Sequence, residues 1–383
     1  MLKRTAPPFR RTLFPVAAAA IFAMLLWSGC ANDNGGNPAD PSGPELENDL
    51  ARFSPSNPRI QQVMAIQEIH TPELMESPLI VGTATGLTEK GEPAILVFAQ
   101  EELVTGMVPT SLDGVPVVVQ VTGKLIARKS GGGGVNHRTI QTPPIQLGTS
   151  GGWRYDLANG FCCGGTLGSL VQIGGSQYIL SNWHVLYSDI VSGGNGRVAT
   201  AGDPVIQPAL IDVGCNAASS QNVATLVASG GSLPSANIDA GIAQVTSGMV
   251  SSTGAILEVG TISATTQAAA IGQLVKKSGR TTGLSRATVT GINGTVTIGY
   301  ENECAGGSAF NKTFTGQIIT SNRRCAFLDG GDSGSLMVQD VATNPRAVGL
   351  LFAGSVSCNT SAIAIANPIN SVLSHYGATM VGN

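Results

Sequence analysis

The segment DGGDSGSL, residues 329–336, places a serine among glycines. A serine hydroxyl is a poor nucleophile unless a base takes its proton, and attack on a carbonyl needs donors for the developing negative charge. The surrounding glycines allow the backbone amides of Gly331 and Ser333 to face one point. The segment therefore predicts a nucleophilic Ser333 with an oxyanion site, although alone it also fits a glycine-rich β-turn.

Four histidines could supply the base. His184, in the run SNWHVL, directly follows a predicted strand over residues 177–181, so a rigid element would position it. We expect surface roles for His70 in the N-terminal region, His137 in a glycine-rich connector and His375 in a predicted terminal helix. His184 is therefore the predicted general base.

A carboxylate is needed to hold the imidazole of such a base in the right tautomer. Asp239, in NIDAGIAQV, stands at the start of an apolar strand, where burying a charge is costly without a purpose. Asp203 and Asp212 are the alternatives, and both are expected in loops. We therefore predict Asp239 as the orienting acid.

The blocks SNWHV with His184, DAGIA with Asp239 and GDSGS with Ser333, in this order, resemble the signature of trypsin-like serine peptidases. KSGRTTG followed by ATVTGINGTVTIGY is similar to the α-lytic and streptogrisin-like branch from bacteria, and AVGLLFAGS resembles the family's strand beside the substrate. The resemblance covers residues 145–383. It implies a mainly β, chymotrypsin-like fold of two six-stranded β-barrels with a C-terminal helix.

The same resemblance implies roles for residues around the nucleophile. Gly331 and Ser333 would donate the oxyanion amides, and Asp332 would be a buried structural carboxylate. Its partner would be Lys277, where the branch has an arginine, although lysine cannot form a bidentate pair. Phe327 carries no charge, which favours a small or medium apolar substrate side chain. The predicted pocket consists of Phe327, Gly330, Phe352, Ala353, Gly354 and Ser355.

The sequence leaves three functions to compare. A serine endopeptidase acting through an acyl-enzyme, with polypeptide substrates and neither cofactor nor metal, fits the blocks best. A catalytically silent homologue that binds peptides or serves as an envelope scaffold would keep the same fold. An α/β-hydrolase esterase needs glycine where Ser335 stands and a histidine after the serine, and residues 145–383 lack its alternating helices.

The first 30 residues have the pattern of an export signal, with basic residues before an apolar run over residues 16–27. The run ends near Cys30 in a sequence that resembles a bacterial lipobox, and ordinary cleavage is the alternative. Residues 31–47 are too polar to bury a core and are predicted to be a disordered tether. We expect an exported monomer, either a cell-envelope or outer-membrane lipoprotein or one secreted after processing, whose only membrane contact is a lipid on Cys30.

If Cys30 is acylated, six cysteines remain, and an even number in an exported protein favours disulfide bonds. Their spacing leaves the pairing open, since six cysteines allow fifteen combinations. The six are Cys162, Cys163, Cys215, Cys304, Cys325 and Cys358.

Composition limits both fold and partners. The 21 basic and 24 acidic residues nearly balance, which argues against a nucleic-acid partner. Charged residues make up only 12% of the chain while glycines number 50, a composition typical of short strands joined by tight turns. Asn293 and Gly294, between two β-rich runs, predict a hairpin turn.

Residues 48–128 are interpreted as a small α+β region, either a pro-segment or a retained accessory domain. A helix is predicted to begin at Asn57 and Pro58 and to end before Pro72, because proline suits only the first turn of a helix. Residues 129–144, which contain GGGG, are predicted to form a flexible, exposed linker. The predicted strands cover residues 79–85, 94–99 and 115–122.

Overall fold

The computed structural model describes residues 50–127, 137–158, 161–187, 197–233, 235–300 and 309–383, all within one compact unit. The predicted signal and tether, residue 128 and the first part of the predicted connector, residues 129–136, lie outside this part. No helix in the described part is both long and apolar enough to span a membrane.

The N-terminal region confirms the predicted α+β composition. Its elements are α1 (Pro58–Leu74), β1 (Ile80–Leu87), β2 (Pro93–Ala99), β3 (Ser111–Leu112), β4 (Val115–Val121) and β5 (Leu125–Ala127). The side chain of Asn57 caps α1 by accepting from the amide of Arg59 at 2.9 Å. The prediction that the helix ends before Pro72 is wrong, because α1 continues to Leu74. Pro72 stands in the last turn, where one missing amide costs little beside the burial of α1 against β1 and β2.

The first barrel is built from the strands before and after the predicted base. Its elements are β6 (Thr149–Trp153), β7 (Leu157–Ala158), β8 (Phe161–Cys162), β9 (Gly165–Leu167), β10 (Ser169–Ile173), β11 (Ser176–Ser181), α2 (Trp183–Leu186), β12 (Pro204–Gln207), β13 (Gln221–Gly231) and β14 (Gly241–Val245). Only Gly168 separates β9 from β10. Because β6 pairs with β9, the path from β10 through β11, β14, β13, β12 and β6 closes on itself as six strands in the described part.

The second barrel follows. Its strands are β15 (Leu274–Lys277), β16 (Ser285–Tyr300), β17 (Phe310–Ser321), β18 (Leu336–Gln339), β19 (Ala347–Ser355) and β20 (Ile363–Pro368). After them come α3 (Ile369–Tyr376) and β21 (Thr379–Met380), and β21 pairs with β10 of the first barrel. The order β15, β18, β19, β20, β17, β16 closes through pairing of β15 with β16, so six described strands form this barrel too. The prediction of two six-stranded barrels with a C-terminal helix is therefore confirmed. Short 3₁₀ turns lie at Leu210–Val213, Ala217–Ser219 and Arg323–Cys325.

The N-terminal region shares a sheet with the second barrel, because β1 pairs antiparallel with β16. Gly82 permits this close approach, since a Cβ there would lie 2.6 Å from the carbonyl oxygen of Thr295. At the other end of the region, β5 pairs with both β16 and β19. The region therefore contacts the second barrel through two of its strands.

The predicted hairpin turn at Asn293 and Gly294 is wrong. Both residues lie inside β16, which is paired with β1 on one side and β17 on the other, and the register shifts around them. Asn293 has φ of +54°, and its side-chain amide donates to Gln67 and Glu68 of α1. A β-bulge uses the same left-handed conformation as a turn, so the dipeptide alone does not distinguish them.

Two disulfide bonds are seen among the described residues. One joins Cys162 to Cys215 and the other joins Cys325 to Cys358. Cys163 is disulfide-bonded as well, while Cys304 lies outside the described residues.

Candidate active site

The predicted base and its acid lie together between the barrels. His184 is on α2, a single helical turn directly after β11, and Asp239 precedes β14, which pairs with β11. The imidazole Nδ1 lies 2.6 Å from Oδ2 of Asp239, and the amide of His184 donates to Oδ1 at 3.3 Å. The acid is fully buried and the histidine nearly so. This arrangement holds the ring with Nε2 available for proton transfer.

Three neighbouring side chains hold Asp239 in place, two through its main chain and one through its carboxylate. The side-chain amide of Asn182 donates to its carbonyl oxygen at 2.7 Å, and that of Asn367 donates at 3.0 Å. Asn367 also accepts from the amide of Asp239 at 3.1 Å. The hydroxyl of Tyr300 donates to Oδ2 at 2.8 Å. Sequence reasoning missed these three partners. Asn182 is part of the SNWHV block and Tyr300 ends the stretch ATVTGINGTVTIGY, but neither carried a signal for this role.

Ser333 lies in a glycine-rich turn that precedes β18. The carbonyl of Gly330 accepts from the hydroxyl of Thr281 at 2.6 Å, and that of Asp332 accepts from the amide and hydroxyl of Ser335 at 3.0 and 2.6 Å. In a trans peptide the N–H points opposite the carbonyl. These bonds therefore fix the orientation of the two predicted oxyanion amides, those of residues 331 and 333.

The Ser333 hydroxyl donates to the carbonyl of Phe352 at 3.4 Å. The Nε2 atom of His184 is buried and has no hydrogen-bond partner among the described residues, so the structure does not join the two by a hydrogen bond. The segments that carry them meet at Gly165, where a Cβ would contact the side chain of Val185, next to His184 on α2, and the carbonyl oxygen of Ser333. Hydrogen bonds of this kind are often long or absent without substrate.

A buried ion pair lies beneath the turn. Lys277 Nζ is 3.1 Å from Oδ1 of Asp332, and both side chains are fully buried. Burial lowers the pKa of Lys277, and the nearby Asp332 carboxylate partly offsets this effect. Asp332 also accepts from the amides of Thr281, Thr282 and Asp329. The carboxylate therefore ties the turn to the loop after β15.

The predicted pocket residues lie on β19 and the loop before the turn. Phe352 is buried against Phe314 with ring centroids 5.0 Å apart, and Phe327 is buried beneath the loop. The amide of Ile363 donates to the hydroxyl of Ser355, so that side chain is bound to β20. Ala353 is buried and Gly354 borders Leu328.

A strand of the chain itself lies along this wall. In β5, Ile126 pairs with Gly354 and Leu125 pairs with Ser355, both antiparallel. The amide of Val356 donates to the carbonyl of Lys124 at 2.9 Å. A sheet edge that accepts an extended segment in this way is a common mode of peptide recognition.

The alternative acids are engaged elsewhere. Asp203 accepts from the indole of Trp153 at 3.1 Å, and Asp212 forms a bidentate pair with Arg280. Both therefore serve the packing of the barrels.

The remaining histidines are also away from this arrangement. His70 bonds to Asp113 and His375 is exposed, as expected for surface roles. The prediction for His137 is wrong, since it is buried between the carbonyl of Gly148 and Glu258. These two polar partners hold the end of the connector near His137, and the composition of the connector does not predict them.

Two closed β-barrels with His184, Asp239 and Ser333 on neighbouring segments define a chymotrypsin-like fold. A family model described as the Nal1 C-terminal domain matches residues 211–371. Among curated proteins, streptogrisin-A from Streptomyces griseus is 35% identical over 111 residues, which is 29% of this chain and 31% of that protein. Glutamyl endopeptidase 2 from Streptomyces griseus is 34% identical over 113 residues, 29% of this chain and 50% of that protein.

The crystal structure of Thermobifida fusca protease A matches with a TM-score of 0.40 at 23% identity, covering 62% of this chain and 99% of that one. The chain spans about a third to a half of the length of the curated relatives it matches. Over part of its length its sequence is thus similar to streptogrisin-A and glutamyl endopeptidase 2.

Proposed function

We propose that this chain is a serine endopeptidase with Ser333 as nucleophile, His184 as general base and Asp239 as orienting acid. The observation that carries the proposal is the 2.6 Å contact between Nδ1 of His184 and Oδ2 of Asp239, which directs Nε2 away from the acid. The fixed amides of Gly331 and Ser333 supply the donors that acyl transfer requires.

In the proposed reaction, Ser333 Oγ bonds to the carbonyl carbon of a peptide while its proton passes to Nε2 of His184. The proton then moves to the leaving amine as the C–N bond breaks, and an acyl-enzyme remains. Water attacks the ester with the same histidine as base and releases Ser333. Asp239 keeps its charge throughout and stabilises the imidazolium.

The test is hydrolysis of chromogenic peptides by the exported protein and by two variants. Ser333→Ala and His184→Ala should each lower turnover by about a million-fold, the scale seen when such a unit loses one member. Lys276→Met provides a control on β15, because its ammonium donates to the carbonyl of Val341 and makes no bond to the turn that carries Ser333. If either variant keeps most of the activity, the assignment is wrong.

A second candidate, a catalytically silent peptide-binding or scaffold homologue, is favoured by one observation. The Ser333 hydroxyl donates to Phe352 rather than to His184. Labelling with a fluorophosphonate separates the two functions, because only an activated serine reacts. Label on the wild type that is absent from Ser333→Ala supports the endopeptidase, and no label on either supports the silent homologue.

We propose polypeptide substrates that carry a small or medium apolar side chain before the cut. The uncharged Phe327 supports this choice, and so do the apolar residues of β5 that lie along β19. A set of p-nitroanilides ending in alanine, valine, arginine or glutamate tests it. Faster cleavage after arginine or glutamate than after alanine and valine would contradict the proposal.

We also propose that residues 48–128 form a pro-segment released by self-cleavage in the connector, rather than a retained domain. The pairing of β5 with β19 supports this reading, because the strand covers the edge that a substrate would use. Intact-mass measurement should find wild type shortened within residues 129–144 and Ser333→Ala uncut. Equal masses for the two would favour the retained domain.

Export is proposed from the first 30 residues, with acylation of Cys30. The disulfides support an oxidising compartment. Radiolabelled palmitate should enter the wild type and not Cys30→Ala, whereas equal labelling would refute the lipid anchor.

A further inference from the structure

Two donors converge on one oxygen of the buried acid. Asp239 Oδ2 lies 2.6 Å from Nδ1 of His184 and 2.8 Å from the hydroxyl of Tyr300. Tyr300 is the last residue of β16, in the second barrel, whereas His184 and Asp239 belong to the first. The hydroxyl therefore connects the proposed catalytic pair to the other barrel.

Aromatic packing holds the tyrosine in place. Its ring is stacked on Phe310, with centroids 4.8 Å apart and planes 6° from parallel, and meets the edge of Trp183 at 6.2 Å. Burial raises the pKa of Tyr300 well above the usual value of 10.0, and the negative charge of Asp239 raises it further. The phenol thus stays protonated and remains a donor at any pH used for catalysis.

We propose that Tyr300 is a positioning residue, whose hydroxyl holds the Asp239 carboxylate in the orientation that fixes the imidazole of His184. This inference rests on the proposed function. A carboxylate with a second fixed donor cannot turn without leaving a buried phenol unsatisfied, which is costly. The same donor withdraws charge from the oxygen that faces the imidazole, and so moderates the stability of the imidazolium.

Few other titratable groups face this carboxylate within the described part of the chain. His184 approaches from α2, Tyr300 from β16, and Tyr376 from α3. The hydroxyl of Tyr376 lies 2.8 Å from the carbonyl of Gly230 and 2.9 Å from that of Ala240, not against the carboxylate. Tyr376→Phe is therefore a matched control that removes another buried phenol hydroxyl without touching the acid.

The experiment compares Tyr300→Phe with Tyr376→Phe in protein produced from the full chain. Tyr300→Phe removes a hydrogen bond to a charged group, so its kcat/KM should fall by about 10- to 100-fold. The whole loss should appear as a lower kcat, with KM unchanged. The acid side of the pH–rate profile of Tyr300→Phe should move to higher pH. Without the hydroxyl of Tyr300, the Asp239 carboxylate stabilises the imidazolium of His184 more strongly. Tyr376→Phe should lose less than about threefold and keep the profile. Equal rates and profiles in the two variants would overturn the proposal.

A second measurement needs no turnover and so separates this inference from the proposed function. In full-length Ser333→Ala, the NMR titration of the His184 ring should move to higher pH with Tyr300→Phe. It should move to lower pH with 3-fluorotyrosine at position 300, which keeps the shape and strengthens the donor. If wild type cleaves nothing, the endopeptidase is refuted while the titration still decides the role of Tyr300. An unchanged titration in the fluorotyrosine protein overturns that role even if Tyr300→Phe does not fold.

Discussion

Replacing Lys277 with methionine removes the cation beneath the nucleophile's turn while keeping the length of the side chain. Lys277 and Asp332 are both fully buried and 3.1 Å apart, so bulk solvent does not compensate the carboxylate once the ammonium is lost. The variant leaves a carboxylate buried without its counter-charge. We expect a marked loss of stability together with a loose turn.

The size of the effect follows from the remaining partners of the carboxylate. Breaking a buried pair by removing one member typically costs about 3 to 5 kcal/mol. Asp332 keeps the amides of Thr281, Thr282 and Asp329, and the hydroxyl of Thr282 at 2.7 Å. These donors partly offset the missing charge, so we expect the low end, about 3 kcal/mol. For a domain of this size that corresponds to a fall in Tm of about 6 to 12 °C.

Thermal melts of Lys277→Met, Lys276→Met and wild type measure this loss. Lys276 is the neighbour on β15 and donates to the carbonyl of Val341 at 2.7 Å, so its methionine variant should lose only about 1 kcal/mol. The rate of fluorophosphonate labelling at Ser333 should fall in Lys277→Met alone, since Asp332 carries the carbonyl opposite the Ser333 amide.

A Tm of Lys277→Met equal to that of wild type would refute the reasoning, because it would mean that the buried carboxylate does not need the cation. An equal fall in the two variants would attribute the effect to strand β15 rather than to the ion pair. The double variant Lys277→Met with Asp332→Asn should recover part of the loss, since the uncompensated charge is then gone.

Further predictions concern stability. Burial, the largest cause, raises the pKa of Tyr187, Tyr300 and Tyr376 above the value of 10.0 for an unperturbed tyrosine, so the folded state holds their protons more tightly than the unfolded chain. The stability that the three tyrosines contribute is complete below pH 10 and is lost as pH rises, by up to about 4 kcal/mol per pH unit for the three together. Tyr376→Phe should reduce the slope of Tm against pH by about a third. A wild-type Tm that stays constant from pH 9 to 11.5 would contradict the prediction. Replacing Cys325 and Cys358 by alanine opens a bond that spans 33 residues and should lower the free energy of unfolding by about 3 to 4 kcal/mol in urea, whereas an unchanged denaturation midpoint would argue against a stabilising role.

Much of the fold could be predicted because local patterns agree with it. Short β-rich runs and glycine-rich turns predicted a mainly β domain, the resemblance implied its two barrels, and a terminal helix was predicted where Ile369–Tyr376 is helical. Two predictions made from local sequence, the hairpin turn and the end of α1, are wrong. Asn293 and Gly294 form a bulge, and Pro72 lies inside α1, because pairing and packing with distant segments outweighed the local preference of each residue.

The candidate site was only partly predictable. The three proposed reacting groups are of chemically distinctive types in a recognisable order, so sequence alone could nominate His184, Asp239 and Ser333. Nothing in the sequence around Tyr300 predicts a role for its hydroxyl. It becomes significant only because β16 brings it 2.8 Å from Asp239 across 61 residues of sequence.

The sequence by itself predicted the mainly β architecture, the proposed type of chemistry and the residues that could act as nucleophile, base and acid, because these depend on residue types, their order and local turn patterns. Tertiary structure alone decided that Asp203 and Asp212 bind elsewhere, that Tyr300 supports the acid, and that β5 lies along β19. The physical reason is that hydrogen bonds and ion pairs act over about 3 Å, and only the closing of the two barrels brings such distant residues to that distance.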